Sequence, residues 1–426
     1  MKIKINNTGV LAAALLLCTS TSNADTELSL LIDNGSESFA IATALTEAYS
    51  KENPDVSFDI EIRPGGSDGD NLVKTRLFTE EMTDIFLYDS GALLQALKPS
   101  RTLEPIEKIE NFKNIKPAYI PSVSDGDHSF GVPVRAAMGG GIFYNRKVYN
   151  ELGLAVPKTW DEFLSNALKI KQHTDVIPVV QTYKDAWTSQ LPILSDYYNV
   201  QQGAPDFAEN YTKNLDGFYK NKYARSGFEK IEQMYSLGLF NKYPSATTYN
   251  EGIRLLAEGK AAHYPMLTFA LSTIRLNYPE HLNNVGFFAQ PGESSDKNGL
   301  TLWMPAAYYI SKSSENKDES KKFLNFVASA PSCDIITKAA GATGPYLLNG
   351  CGLPEDIPQA LKDMTPYFDE PGRLAPALEF LSPIKGPALQ QLAVEVGTGS
   401  RSGIDAARLY DKDVEKQAKQ LGLDNW

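Results

Sequence analysis

Along this chain, apolar residues switch between a spacing of two and a spacing of three to four, which predicts strands alternating with helices. Glu27-Leu28-Ser29-Leu30-Leu31-Ile32 predicts a strand, and Asp33-Asn34-Gly35-Ser36 after it is turn chemistry. Phe39, Ile41, Ala42, Leu45, Ala48 and Tyr49 then follow helical spacing. Beyond Asn53-Pro54, alternation at Val56, Phe58, Ile60 and Ile62 predicts a second strand with one polar face. Strand, helix and strand at this length make a βαβ unit, which implies a parallel sheet covered by helices. Ligands of such sheets gather beyond the carboxyl ends of the strands. That rule nominates Asp33 to Ser36, and also Tyr88-Asp89-Ser90 after the apolar strand Ile85-Phe86-Leu87.

Further on, Thr159-Trp160-Asp161-Glu162 is a capping box, with Thr159 as N-cap and Glu162 three residues later. Phe163, Leu164, Ala167, Leu168 and Ile170 give its helix an apolar face, and Phe323, Leu324, Phe326 and Val327 mark another buried helix. Ala407, Tyr410, Val414, Ala418 and Leu421 form a closing helical stripe suited to core packing. Met138-Gly139-Gly140-Gly141 lacks the lysine of a phosphate-binding loop and predicts a tight turn.

The start of the chain predicts export. Lys2 and Lys4 precede the apolar run Val10 to Leu17, and Ser22-Asn23-Ala24 carries the small residues of a cleavage site, so residues 1–24 predict a signal peptide. The run is too short to span a bilayer. Leu17, not a small residue, precedes Cys18, so soluble periplasmic export is expected rather than a lipid anchor at Cys18. Losing two lysines and no acid takes the formal net charge from −11 to −13, which argues against nucleic acid or an anionic membrane as partner. The remaining 402 or so residues suffice for two domains. Cys333 and Cys351 then form an even pair in an oxidising compartment, where a disulfide is expected and two buried thiols are the alternative.

Four blocks in order carry a family resemblance. Thr83-Asp84-Ile85-Phe86 is the first. Gly131-Val132-Pro133 leads to Phe143-Tyr144-Asn145-Arg146-Lys147 and then to Leu154-Ala155-Val156-Pro157-Lys158-Thr159-Trp160-Asp161-Glu162-Phe163. Leu256-Ala257-Glu258-Gly259-Lys260-Ala261-Ala262 follows, with His263 where methionine is usual, and Ile310-Ser311-Lys312 precedes Lys322-Phe323-Leu324-Asn325-Phe326. The chain resembles the extracellular solute-binding proteins of ABC importers, in the carbohydrate-binding, maltose-binding-protein-like branch. The resemblance implies an α/β, two-lobed periplasmic-binding-protein fold of type II, with a hinge and a ligand cleft between the lobes. It places residues 25–133 and 300–328 in the first lobe and 134–299 and 329–426 in the second, with crossovers near Pro133, Leu300 and Pro331. It implies a monomer that delivers a carbohydrate to ABC permease subunits.

A sugar presents apolar C–H faces and a rim of hydroxyls, so its cleft needs aromatic rings and planar polar groups. Trp187, following Asp185, and Trp303 are the tryptophans placed for that role, with core packing as the alternative for each. The resemblance adds Tyr88, Asp89, Tyr264 and Phe269 as ligand-side positions, with Asn34 and Ser36 on the first lobe. Arg135 offers a planar donor fork or a hinge ion pair, and Tyr346 and Lys385 complete the candidates. Pro387 and Ala388 stand where a stacking aromatic pair is usual in the branch, which puts maltose in doubt.

Catalysis finds no support. The histidines His128, His173, His263 and His281 are scattered, and no HExxH pattern occurs. No cofactor and no metal site is expected. The alternative reading is a non-sugar solute: a ferric ion at Tyr197-Tyr198 or Tyr308-Tyr309, a polyamine, or a small anion.

Overall fold

The computed structural model describes residues 26–426. The expected signal peptide and Cys18 lie outside the described residues. Among the described residues thirteen strands occur in chain order: β1 Thr26–Asp33, β2 Val56–Arg63, β3 Ile85–Tyr88, β4 Ser124–Asp125, β5 His128–Ser129, β6 Gly131–Pro133, β7 Met138–Asn145, β8 Ile177–Val179, β9 Ala261–Leu267, β10 Val285–Ala289, β11 Leu300–Trp303, β12 Ala307–Ile310 and β13 Leu374–Pro376.

The first βαβ unit forms as the pattern requires. β1 and β2 pair in parallel around the helix Ser36–Glu52, and β3 joins β1 on its other edge, also parallel. β12 returns from far along the chain to pair antiparallel with β3 and β6, giving the order β2-β1-β3-β12-β6. The second sheet runs β13-β11-β7-β9-β8. On one edge of β7, β11 pairs with Met138–Gly140 and β10 with Gly141–Asn145. Helices cover both sheets, so β3, β7 and β9 are buried along their whole length.

Each sheet has its own core. The first gathers Leu30, Ile32, Phe86, Tyr309 and Phe323, and the others gather Phe163, Phe228 and Tyr410 on one side of the second sheet and Phe143, Tyr264 and Phe287 on the other. The capping box at Thr159 is present, with Thr159 accepting from Glu162 N–H and the Glu162 carboxylate accepting from Thr159 N–H. His263 is fully buried between Tyr149, whose hydroxyl lies 2.6 Å from Nε2, and the Pro178 carbonyl, 2.7 Å from Nδ1. Burial holds its imidazole down at about 4, so the neutral ring is a core element.

Three expectations need correction. Gly139, Gly140 and Gly141 do not form a turn; they open β7. A Cβ on Gly140 would lie 2.6 Å from Trp303 Cζ3, and one on Gly141 would lie 2.7 Å from Phe287 Cζ, so glycine here serves close packing. Leu300–Trp303 belongs to the second sheet through β11, and the chain changes sheets between Trp303 and Ala307. Pro331 is not where the chain leaves the first core. Helix Ala330–Ala340 packs on Ser36–Glu52, and Cys333, Ile336, Tyr346, Leu347 and Leu348 stay in that core. Cys333 and Cys351 are disulfide-bonded, which ties the end of this excursion to its start.

Candidate functional site

Where the two sheets face each other, the carboxyl ends of β1, β2 and β3 open onto a cavity of ≈ 680 Å³. Asn34 and Ser36 line it from the loop after β1, Gly65, Gly66, Asp70 and Asn71 from the region after β2, and Asp89 from the end of β3. The opposite wall is aromatic. Trp187, Tyr249 and Phe269 form a triangle with ring centroids 5.4, 6.0 and 6.0 Å apart. Asp185 fixes it: its Oδ2 accepts from Tyr249 N–H at 2.6 Å, at the start of a helix that Thr248 caps. Tyr249 Oη pairs with Thr273 Oγ1 at 3.0 Å.

Asp89 faces the cavity and is exposed to it, with the cleft walls on either side. Among the described residues no donor bonds its carboxylate. Burial first, and the charge of Asp70 second, push its carboxyl up to about 6, against Arg63 and Lys385, which favour the ionised form. Arg63 is 5 % exposed and its guanidinium is turned inward, donating to the Pro64 carbonyl at 3.1 Å and lying 5.6 Å over the Tyr88 ring. A carboxylate beside an aromatic wall offers acceptors for paired hydroxyls and a flat apolar face, the two features a sugar presents.

Lys385, Glu379 and Arg135 on the wall are already paired. Lys385 Nζ lies 2.7 Å from Glu379 Oε2, and Trp303 Nε1 donates to Glu379 Oε1 at 2.7 Å. Arg135 forms the hinge ion pair rather than a free fork. It lies just past β6, 3.4 Å from Asp33 Oδ2 and 3.6 Å from Glu37 Oε2, and donates to Ser38 Oγ. Burial raises the Asp33 carboxyl, but Arg135, Ser38 and Gly35 N–H outweigh it and hold the group below its ordinary value. For Glu37 the balance reverses, and burial keeps it above the ordinary carboxylate range despite Arg135 and Ser272.

The structure thus brings together Asn34, Ser36, Asp89, Arg135, Asp185, Trp187, Phe269, Trp303 and Lys385 around one cavity. It leaves out three candidates. Tyr88 is 1 % exposed and sits in the first core beneath Arg63. Tyr264 is equally buried within β9, its hydroxyl 2.7 Å from Thr182 Oγ1. Tyr346 packs in the first core with its hydroxyl on Thr337. Tyr249, Arg63, Asp70, Phe380 and Gln390 also line the cavity and were not among the sequence candidates. The Thr248 cap just before Tyr249 was a legible signal; nothing in sequence marked the others. Phe380 stands near Pro387 and Ala388 on the same wall. The tyrosine pairs Tyr197-Tyr198 and Tyr308-Tyr309 are buried in the cores, and among the described residues no three His, Cys, Asp or Glu are grouped to hold a metal ion.

Comparison with known proteins agrees with this architecture. Residues 33–332 match the model of a family described as bacterial extracellular solute-binding protein. The multiple sugar-binding protein of Streptococcus mutans is 24% identical over 291 residues, 66% of this chain and 66% of that relative. The melibiose/raffinose/stachyose-binding protein MelE of Bacillus subtilis is 21% identical over 396 residues, 89% and 88% of the two chains. This chain spans about two thirds or less of three of the curated relatives it matches, 66%, 45% and 56% of their lengths. Among solved structures, a chitin oligosaccharide binding protein superposes with a TM-score of 0.80 at 19% identity, over 92% of this chain and 99% of that one.

Proposed function

This chain belongs to the bacterial extracellular solute-binding protein family, and from that premise we propose that it is the receptor of an ABC importer for a carbohydrate. It captures a mono- or oligosaccharide between two lobes and delivers it to the permease without altering it, since the family binds solutes rather than transforming them. The observation that carries the reading is the pairing of an unbonded carboxylate, Asp89, with the aromatic triangle Trp187, Tyr249 and Phe269 across one cavity. Relatives named for multiple sugars and for melibiose, raffinose and stachyose support it.

In this reading Asn34, Ser36, Asp70 and Asp89 bond hydroxyls from the first lobe, while Trp187, Tyr249, Phe269 and Trp303 cover the sugar faces. Lys385 and Arg135 act indirectly, one holding Glu379 and the other the hinge. The lobes divide as 26–133 with 307–351 and 138–303 with 357–426, following sheet and core membership. The receptor is exported, and its place is the periplasm, as a monomer freed of residues 1–24; none of the described helices is long and apolar enough to cross a membrane.

A thermal-shift screen tests the proposal. It should include monosaccharides, oligosaccharides, ferric ion, polyamines and small anions. A carbohydrate should raise the melting temperature by mass action. Stabilisation by a metal, amine or anion and by no sugar would replace this reading with the non-sugar one.

A further inference from the structure

Three of the direct contacts between the two lobes border the cavity. At the first, Gln390 Nε2 donates to Ser67 Oγ, and Trp187 stands in van der Waals contact with Gly66, where an added Cβ would sit 3.7 Å from its Cβ and Cδ1. At the second, Gly91 lies under Glu379 and Phe380, where a Cβ would come within 2.8 Å of Phe380 Cδ1. At the third, Ser272 Oγ donates to Glu37 Oε1 at 3.1 Å. Gly66 and Gly91 have φ of 65° and 70°, a backbone that favours glycine, so at both contacts a side chain is disfavoured by conformation.

From this rim we infer that the cleft selects by chain length: it closes over a short saccharide of about one to three rings, within the volume a small-ligand pocket holds, and rejects longer chains. The inference rests on the carbohydrate reading. A ring protruding past the first contact would have to part Ser67 from Gln390 and lift Trp187 from Gly66. One protruding past the second would have to hold Phe380 off Gly91. Either way the longer ligand forfeits lobe–lobe contacts that the short one keeps, and specificity is that difference. Gly66, Ser67 and Gln390 on one rim and Gly91 and Phe380 on the other are therefore the length-determining positions.

The test is calorimetric titration with a homologous series, one to six units long, sharing the linkage of the most stabilising sugar. In the wild type, affinity should peak among the short members and fall by about tenfold or more at the longest. In Gln390→Ala that fall should shrink. Equal affinity for the longest and the best short member in the wild type would overturn the length selection and leave carbohydrate binding standing. An unchanged length profile in Gln390→Ala would overturn the assignment of that rim. If no member of any series binds, both the carbohydrate reading and this inference fall.

Discussion

Glu37, on the first helix of one lobe, accepts a hydrogen bond from Ser272, on a helix of the other, while Arg135 stands 3.6 Å from the same carboxylate at the first crossover. The helix Ala270–Asn277 that carries Ser272 also carries Thr273, the partner of Tyr249 in the aromatic wall. The ligand-facing ring and the crossover are therefore joined through two adjacent side chains. Movement of one lobe against the other must strain or break this chain of bonds.

Arg135 compensates a buried acid, Glu37, and a half-buried one, Asp33, with only 13% of its own side chain exposed. Arg135→Ala leaves Glu37 without its counter-charge, so unfolding in denaturant should show a loss of about 3–5 kcal/mol. A loss below about 1 kcal/mol would mean the cluster behaves like a solvated surface pair.

On the proposed reading, Asp89 should set the pH dependence of binding. Its free carboxyl sits at about 6. Hydroxyl donors favour the ionised form, so a bound sugar lowers that value. Binding energy from this group is then present above about pH 6 and lost as pH falls through it, by at most about tenfold in affinity per unit. Titrations at stepped pH should show this decline in the wild type and a flatter profile in Asp89→Asn. A wild-type profile that rises on acidification would remove Asp89 from the site.

Trp187 and Trp303 line the cavity, whereas Trp160 stacks on Phe163 and Trp426 donates to the Thr212 carbonyl. Sugar binding should change intrinsic fluorescence mainly through Trp187, the more exposed of the two. The change should shrink sharply in Trp187→Phe, and affinity should fall about tenfold or more in Trp187→Ala. An undiminished signal in Trp187→Phe would place the ligand elsewhere.

The Cys333–Cys351 bridge closes a loop at a sequence separation of 18, remote from the cavity wall. Replacing both cysteines by serine should lower stability by about 3 kcal/mol on the chain-entropy model and leave sugar affinity unchanged. Paired melting curves and titrations check both halves. A loss of affinity with stability intact would mean that the loop takes part in closure.

Much of the first lobe was legible because its strands alternate with a helix whose apolar stripe is regular, and because loops after parallel strands point at the cleft. That rule nominated Asn34, Ser36 and Asp89, and the family resemblance named them too. Tyr88 and Tyr264 did not follow the same logic, because sheets covered on both faces bury every residue of a strand, and alternation then loses its meaning. The crossover after Cys351 was hidden for a different reason. Helix Ala330–Ala340 has an ordinary amphipathic pattern, and nothing in it says which of two cores it will join. Gln390 meets Ser67, and Phe380 meets Gly91, only because the lobes face each other, a relation between segments far apart in the chain.

Calorimetric titration of the best-stabilising carbohydrate into the wild type and into the double variant Asp89→Asn, Trp187→Ala tests the central claim most directly. The account predicts saturable binding of one sugar per wild-type chain and its near-complete loss in the folded double variant. Equal affinity in the two proteins, or no carbohydrate heat in the wild type, would contradict it.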